Sequence, residues 1–262
     1  MIRVVFNQKG GVGKSSLSTN LAAISAAAGY QTLLVDLDVQ GNSSHYLGFD
    51  PEPGRPTVAD LFKQTVGWLS RPQSPQEFVY DTEWDKLCLL PASPRLAEIE
   101  RDLESRYKIF KLRDALDLLA QEFDHIFIDT PPNFNFYSKS ALIAADSVII
   151  PFDCDTFSAQ AIERLLDNVL ELKGDHNPEL QLEGIVVNQY NPQARLPQSQ
   201  VAALKAQALP LFDTLLGSSV KMRESHQLRQ PLIHCAPKHK LTAALLTLFE
   251  EMESRQKALA EA

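Results

Sequence analysis

The chain has 262 residues, of which 44% are hydrophobic and 22% are charged, and its formal net charge at pH 7 is −8. This composition excludes a fibrous or disordered chain and favours one large domain over residues 1–262. The net charge argues against a protein that coats nucleic acid with its whole surface, and no apolar run approaches the roughly 20 residues of a membrane helix.

Short apolar runs that end in polar or turn residues alternate with helical patterns along the chain. Such runs predict buried parallel strands, which need helical crossovers between them. Strands are predicted at Arg3–Asn7, Thr32–Asp36, Leu87–Pro91, His125–Asp129, Ser147–Pro151 and Gly184–Asn188. Helices are predicted at Ser15–Ala28, Thr57–Phe62, Trp68–Leu69, Arg95–Glu104, Lys111–Glu122, Ala159–Leu172 and Leu241–Ala262, the last with a charged end that we expect to be mobile. The alternation predicts a doubly wound α/β fold, with a mainly parallel sheet and helices on both faces.

The segment after the first predicted strand has the composition of a phosphate-binding loop. Gly13, Lys14 and Ser15 follow a strand and open a helix, which offers backbone N–H donors, a lysine for phosphates and a hydroxyl for magnesium. The usual consensus has a glycine five residues before Gly13, where this chain has Gln8, so the match is to a variant loop that begins at Lys9. We therefore expect ATP and Mg²⁺ to bind here, through Gly10, Gly11, Val12, Gly13, Lys14, Ser15 and Ser16.

Lys9 is a second lysine at the entrance of this loop. Its position would let it reach a phosphate oxygen of a nucleotide bound to its own subunit or to a neighbouring subunit. It could then act like an arginine finger. A cation supplied in this way can be worth ~10³–10⁵ in hydrolysis rate. The alternative is a solvated loop lysine.

Carboxylates and an amide end three other predicted strands. Asp129 has the position of the acid that holds magnesium through water, although an aspartate that merely caps a strand end is the alternative. Asp36 and Asp38 lie two residues apart and share a side, so Asp36 can join the magnesium shell while Asp38 orients an attacking water. Asp38 could instead cap a helix that begins near Asn42. Asn188 is a candidate adenine contact, with a structural turn as the alternative.

The C-terminal part of the chain is locally basic. Between residues 195 and 240 the only acidic residues are Asp213 and Glu224, against seven basic ones. Such cations can neutralise DNA phosphates without reading bases, although charge runs also occur on solvated faces. The candidate DNA contacts are Lys221, Arg223, Arg229, Lys238 and Lys240.

Three motifs together resemble the ParA/MinD family of deviant Walker A P-loop ATPases. They are Asn7–Ser15, Leu34–Asn42 and Ile128–Pro132, and the resemblance extends in family order through Leu90-Pro91-Ala92-Ser93, Ala144-Ala145-Asp146 and Val186-Val187-Asn188. Among the branches the chain is most similar to the small ParA (Soj-like) proteins, because Asp38–Asn42 is similar to that branch's sequence after the second strand.

The resemblance implies an ATPase with weak intrinsic turnover that forms an ATP-dependent sandwich homodimer. It implies that Lys9 reaches the partner's nucleotide, that Lys14 and Ser15 bind phosphate and magnesium, and that Asp38 is needed for hydrolysis. It also implies non-specific DNA binding by the dimer and a ParB-like or other adaptor that stimulates hydrolysis. A cytoplasmic, nucleoid-associated protein that positions a chromosome, a plasmid or a protein assembly is therefore expected.

The sequence departs from the family at three places, of which the first is Ser15, where threonine is commoner and the magnesium-binding hydroxyl is kept. Asn133–Phe136 replaces a serine and small residues in a switch loop, and residues 215–219 lack a Pro-Arg pair. A MinD-like membrane switch is disfavoured because the tail is acidic, so no stable membrane association is expected. An iron–sulfur reductase would need well-placed cysteines, which Cys88 and Cys154 are not. A metabolic ATP-dependent enzyme of the same superfamily is a further alternative.

Overall fold

A seven-stranded sheet runs through the part of the chain that the computed structural model describes, which is residues 1–52, 54–64, 73–154 and 159–260. Its strands are β1 (Ile2–Val5), β2 (Thr32–Asp36), β3 (Tyr80–Asp81), β4 (Leu87–Leu90), β5 (His125–Asp129), β6 (Ser147–Asp153) and β7 (Gln181–Asn188). Their order is β3-β4-β2-β5-β1-β6-β7, and only β3 runs antiparallel to its neighbour. The predicted mainly parallel, doubly wound sheet is confirmed.

Helices connect these strands and cover both faces of the sheet. They are α1 (Lys14–Ala27), α2 (Asn42–Tyr46), α3 (Val58–Lys63), α4 (Arg95–Ser105), α5 (Lys111–Leu119), α6 (Phe136–Ala144), α7 (Ala159–His176), α8 (Arg195–Ala206), α9 (Val220–Leu228), α10 (Leu232–Cys235) and α11 (Lys240–Ala260), with a 3₁₀ helix at Pro75–Phe78. The short helix predicted at Trp68–Leu69 lies outside the described residues.

The sheet has a separate apolar layer on each face because successive side chains of a strand point in opposite directions. Val4 of β1 packs in the layer that contains side chains of α3 to α8, and its neighbour Val5 packs in the layer that contains α1, α10 and α11. Both valines are fully buried. The phosphate loop that follows β1 is therefore anchored in the middle of the sheet.

The charged half of α11 is held against the sheet by a buried ion-pair network. The Arg3 guanidinium on β1 is 0% exposed, and its Nε lies 3.2 Å from Oε1 of Glu183 on β7. Its Nη2 lies 2.9 Å from Oε1 of Glu253 on α11. Arg255 of α11 also donates to the carbonyl oxygens of Glu183 and Leu211. The charged side chains at this end of α11 thus make contacts within the fold. The sequence, which led us to expect a mobile charged end, did not predict these contacts.

The carboxyl ends of the central strands meet at one edge of the sheet. Asp36 at the end of β2 is in register with Asp129 at the end of β5, and Asp129 is in register with Val5 at the end of β1. Asp153 at the end of β6 is likewise in register with Asn188 at the end of β7. Ligands of open parallel sheets bind at this edge, so the fold gathers the predicted site residues there.

Candidate functional site

The loop between β1 and α1 has the backbone of an anion site. Gly13, the residue before α1, has φ 88° and ψ 27°, and Gly11 has φ 81°. These left-handed conformations are favourable for glycine and costly for other residues. They aim the first backbone N–H groups of α1, at the positive end of its dipole, toward the edge of the sheet. A phosphate group is the ligand that such a helix start binds.

Three amide side chains hold this loop in place. Asn7 Nδ2 donates to the Pro151 carbonyl at 2.7 Å, and Asn7 Oδ1 accepts from Lys9 N at 3.0 Å. On the other side Asn188 Nδ2 donates to the Val12 carbonyl at 2.9 Å, and Gln189 Nε2 donates to the Gly11 carbonyl at 2.9 Å. The sequence pattern assigned no role to Asn7 or Gln189.

Asn188 lies against the phosphate loop itself. A Cβ atom built on Gly13 would lie 2.4 Å from Asn188 Nδ2, which is closer than real contacts allow. In this structure, therefore, Asn188 positions the loop instead of presenting its amide to an open pocket. A cavity of about 550 Å³ is lined in part by Tyr190, Leu215 and Lys240, and Asn188 is not among its lining residues.

Lys14 is a buried cation at the start of α1. It is 6% exposed, and its Nζ donates to the carbonyl oxygen of Lys9 at 3.2 Å. Burial lowers the pKa of Lys14, while the negative charges of Asp129 and Asp38 oppose this shift. The structure thus brings Lys14 close to two of the three predicted carboxylates, Asp129 and Asp38, and to the backbone of Lys9, which is half-buried at the loop entrance.

Asp36 is fully buried and is bound by its own loop. Its Oδ2 accepts from Ser44 N and from Ser44 Oγ, both at 2.8 Å, and its Oδ1 accepts from Asp38 N at 3.0 Å. Burial, and then the charge of Asp129, raise the pKa of Asp36 to about 8. The predicted magnesium ligand Asp36 therefore anchors the loop from residue 36 to residue 44, since three donors already occupy its two oxygens.

Asp129 has a buried carboxylate oxygen without a hydrogen-bond partner among the described residues. Its Oδ2 accepts from Ser43 Oγ at 2.7 Å, whereas its buried Oδ1 has no hydrogen-bond partner among the described residues. Burial raises the pKa of Asp129 to about 6, and the nearby hydroxyls of Ser15 and Ser43 oppose the shift. A hard divalent cation such as Mg²⁺ prefers oxygen ligands of this kind. The site offers the neighbouring buried carboxylates of Asp36 and Asp129, with the unpartnered Oδ1 of Asp129, and the Ser15 hydroxyl.

Asp38 lies in the loop before α2 and does not cap that helix. Its Oδ1 accepts from Gln40 N at 3.0 Å, and its carbonyl oxygen accepts from Gly41 N at 2.9 Å. The residue before α2 is Gly41, in a left-handed conformation, and no side chain caps the helix there. The alternative role of Asp38 as a helix cap is therefore wrong, and its carboxylate is close enough to Lys14 to shift the pKa of that lysine.

The predicted DNA contacts divide into exposed and bound cations. Lys221, Arg223, Lys238 and Lys240 are exposed, and Lys221 pairs with Glu224 on the same helix at 2.5 Å. Arg229 ends α9, where its Nη1 lies 2.8 Å from Asp50 Oδ2 and its Nε donates to the His45 carbonyl at 2.9 Å. The guanidinium of Arg229 is thus bound to its own chain, unlike the open cation that the sequence predicted.

Several side chains of the site could not be recognised from the sequence as functional residues. Ser43 and Ser44 bind Asp129 and Asp36, and they directly follow the Gly41-Asn42 pair of the second motif. That position, next to a motif already assigned to the site, is the only signal that could have found them. His226 lies 2.9 Å from Ser16 Oγ, and its sequence context on a basic helix gave no indication of this contact.

Asn133–Phe136, the departure from the family in the predicted switch loop, begins a helix. Asn135 caps α6, since its Oδ1 accepts from Ser138 N at 3.2 Å and its N donates to Ser138 Oγ at 2.9 Å. Phe134 packs on Phe6 with ring centroids 5.9 Å apart, and Phe136 is buried. The unusual aromatic residues are therefore part of the core next to the phosphate loop.

Comparison with known proteins identifies relatives over almost the whole chain. The protein-family profile described as "AAA domain" matches residues 1–182. The chromosome partitioning protein ParA of Myxococcus xanthus is 33% identical over 253 residues, which cover 96% of this chain and 87% of that protein.

Solved structures with the same fold include proteins with bound nucleotide. Cobyrinic acid a,c-diamide synthase from Mycobacterium smegmatis, bound to an ATP analogue and magnesium, has a TM-score of 0.83 and 25% identity, with 98% of this chain and 95% of that chain covered. An ATP complex of McdA from Cyanothece has a TM-score of 0.84 and 22% identity, with 98% and 96% covered. Among the described residues, no helix is both long enough and apolar enough to span a bilayer.

Proposed function

Because the chain belongs to the ParA family of partitioning ATPases, we propose that its ATP-bound homodimer binds DNA non-specifically and positions a cargo, and that a partner protein stimulates hydrolysis. The observation that carries the proposal is that buried Lys14, at the start of α1, lies within electrostatic reach of Asp129, whose buried Oδ1 has no hydrogen-bond partner among the described residues. A buried cation and an unpartnered carboxylate oxygen match a phosphate and its metal ion.

The phosphate loop binds the triphosphate of ATP in this proposal. The backbone N–H groups of residues 10–16, the Lys14 ammonium and the Ser16 hydroxyl donate hydrogen bonds to the phosphate oxygens. Mg²⁺, held by the Ser15 hydroxyl and Asp129, would neutralise charge on the phosphates. The cavity beside Tyr190 has the volume of a small-molecule site and would take the base, while Asn188 holds the phosphate loop.

Hydrolysis depends on Asp38 and on the second lysine. Asp38 orients the attacking water, since its carboxylate lies at the same edge as Lys14 and is not used as a helix cap. Lys9 reaches the nucleotide of the partner subunit and stabilises the charge that develops on the transferred phosphoryl group. Turnover therefore requires the dimer and stays slow until a partner protein, such as a ParB-like adaptor, completes the site.

DNA binding is assigned to the exposed cations of the C-terminal part. Lys221, Arg223, Lys238 and Lys240 offer charge without a fixed base-reading geometry, so the affinity should be insensitive to sequence and should fall with salt. Arg229 acts in a different way, since it connects α9 to the loop that follows α2. A nucleoid location for the dimer follows from this assignment.

A metabolic ATP-dependent enzyme is the second candidate, and a specific observation favours it. The fold is shared with a cobyrinic acid a,c-diamide synthase at 25% identity. That candidate predicts nucleotide hydrolysis coupled to a small acceptor molecule, with no affinity for DNA in any nucleotide state.

A membrane role is disfavoured because Glu253 and Arg255 of α11 are used in contacts with the sheet.

The test is fluorescence anisotropy with a DNA duplex of arbitrary sequence, at low and moderate salt, with Mg²⁺ and ADP, ATP or a slowly hydrolysed ATP analogue. Binding with the triphosphates only, weakened by salt and equal for two unrelated duplexes, supports the proposal. Lys14→Ala should remove the effect of nucleotide. Absence of DNA binding in every state, with ATP hydrolysis intact, rejects it in favour of the metabolic candidate.

A further inference from the structure

A cluster of stacked and hydrogen-bonded side chains joins the start of α1 to α2 and α9. Ser16 Oγ lies 2.9 Å from His226 Nε2. The imidazole stacks on the ring of Tyr46, with centroids 3.9 Å apart and planes inclined by 21°. The Tyr46 hydroxyl lies 2.6 Å from Ser225 Oγ and accepts from Asn20 Nδ2 at 3.1 Å. The phosphate loop, the segment after Asp38 and the basic helix therefore share one set of contacts.

Two further contacts attach α9 and the chain after it to the same elements. Arg229, which follows the last residue of α9, donates to the carbonyl oxygen of His45 within α2 and pairs with Asp50 in the segment after α2. Asn20 Oδ1 of α1 accepts from Leu232 N at 2.8 Å, so α1 also holds the start of α10. A shift of the Ser16 hydroxyl or of α2 thus acts directly on α9.

The proton count at Ser16 makes this contact sensitive to nucleotide. A serine hydroxyl has one proton, so it donates to one acceptor at a time. Burial, and then the charge of His45, lower the pKa of His226, so a neutral ring with a single N–H is present at pH 7. When a phosphate accepts the Ser16 proton, the contact with His226 survives only if Nε2 carries the ring proton and donates it to Ser16 Oγ.

We propose that His226 is a positioning residue that orients the Ser16 hydroxyl toward bound phosphate and transmits nucleotide occupancy to α9. It acts through Ser16, and the Tyr46 stack fixes its ring. This inference rests on the nucleotide site of the proposed function and not on DNA binding. The exposed Lys221 and Arg223 lie on α9, so a change in its order or position alters the cations offered to a polyanion.

The test compares His226→Ala with His226→Gln, whose side-chain amide can still donate to Ser16 Oγ, and with the control Gln227→Ala at an exposed position of the same helix. The readouts are the affinity for a fluorescent ATP analogue with Mg²⁺ and the amide hydrogen exchange of residues 220–228 with and without it. In the unmodified protein we expect nucleotide to slow exchange in α9. Loss of one hydrogen bond in His226→Ala should weaken the affinity about three- to tenfold and remove this effect.

His226→Gln should restore both readouts to within about threefold of the unmodified protein, and Gln227→Ala should match it. Ser16→Ala breaks the same contact from the other side and should also remove the effect on α9, which keeps the test decisive if His226→Ala does not fold. The proposal is overturned if His226→Ala retains nucleotide-dependent protection of α9, if His226→Gln behaves like His226→Ala, or if nucleotide leaves α9 exchange unchanged in the unmodified protein. Failure of DNA binding alone would reject the proposed function and leave these readouts intact.

Discussion

Gly13→Ala tests whether the phosphate loop is built as described. The substitution places a Cβ on a residue with φ 88° and directs that atom to 2.4 Å from Asn188 Nδ2. Gly11 is the matched control, because it has a similar φ of 81° but no atom within 4 Å of its Cβ position. The two variants therefore share the backbone strain and differ in the collision.

The expected cost follows from three contributions. A left-handed conformation costs an ordinary residue roughly 1–2 kcal/mol, and the smaller conformational freedom of unfolded alanine returns about 0.4–1 kcal/mol. In Gly13→Ala the amide of Asn188 must also move and lose its hydrogen bond to the Val12 carbonyl, which adds about 1 kcal/mol. Gly13→Ala should thus lower the free energy of unfolding by about 2 kcal/mol, and Gly11→Ala by about 1 kcal/mol or less.

Urea unfolding of both variants, each with and without Asn188→Ala, measures these terms as a double-mutant cycle. In the Asn188→Ala background the extra cost of Gly13→Ala should disappear, because the colliding amide is gone. An equal cost of Gly13→Ala and Gly11→Ala in the natural background, or an unchanged cost of Gly13→Ala in the presence of Asn188→Ala, would show that the Asn188 amide does not restrict the loop.

Three further predictions concern charge. Arg3→Ala should lower the free energy of unfolding by about 3–5 kcal/mol in urea titrations, because it leaves a buried carboxylate unpaired. The nucleotide-free protein should lose thermal stability as the pH rises from about 4 to 8. The folded-state pKa values of Asp129 (about 6) and Asp36 (about 8) lie above the ordinary value of 3.8. The folded protein therefore binds protons more tightly than the unfolded chain, and this contribution to stability is lost as the two carboxyls ionise. Lys221→Ala should reduce the salt slope of DNA binding by about two per dimer.

Variants at exposed positions and a comparison of two pH values serve as controls for these three predictions. Arg95→Ala removes an exposed ion pair with Asp60 and should cost less than about 1 kcal/mol, so an equal loss in Arg3→Ala would contradict the buried network. Mg²⁺ with an ATP analogue should raise the melting temperature more at pH 8 than at pH 6, and the opposite order would count against the carboxylate pair. Lys111→Ala, on α5, should leave the salt slope unchanged.

Local sequence patterns were enough to predict most of the sheet and the loop after β1. The strands are short apolar runs, and the predicted helices that fall on described residues lie near their observed bounds, whereas α8, α9 and α10 were not predicted. β3 was missed because two residues carry no pattern, and α6 was missed because almost all of its residues are buried, so it shows no polar face. Both misses follow from the limits of periodicity as a signal.

The roles that sequence could not assign depend on contacts between distant residues. Asn188 reaches the Val12 carbonyl across 176 positions, and Arg229 reaches Asp50 across 179. Nothing near Asn188 or Arg229 in the chain indicates these partners, so an adenine contact and a DNA contact were the natural predictions. Asp36 shows the same limit, because the donors from Ser44 that occupy its oxygens come from a loop whose return path was not predictable.

In the proposed function ATP converts the chain from a monomer to a dimer, and the contact of Lys9 with the partner's nucleotide helps to hold the two subunits together. Sedimentation velocity with Mg²⁺ and either ADP or a slowly hydrolysed ATP analogue tests it most directly, on the unmodified protein and on Lys9→Ala. We expect a dimer only for the unmodified protein with the analogue, and a monomer in the other three samples. A monomer with the analogue, or a Lys9→Ala dimer as stable as that of the unmodified protein, would contradict this proposal.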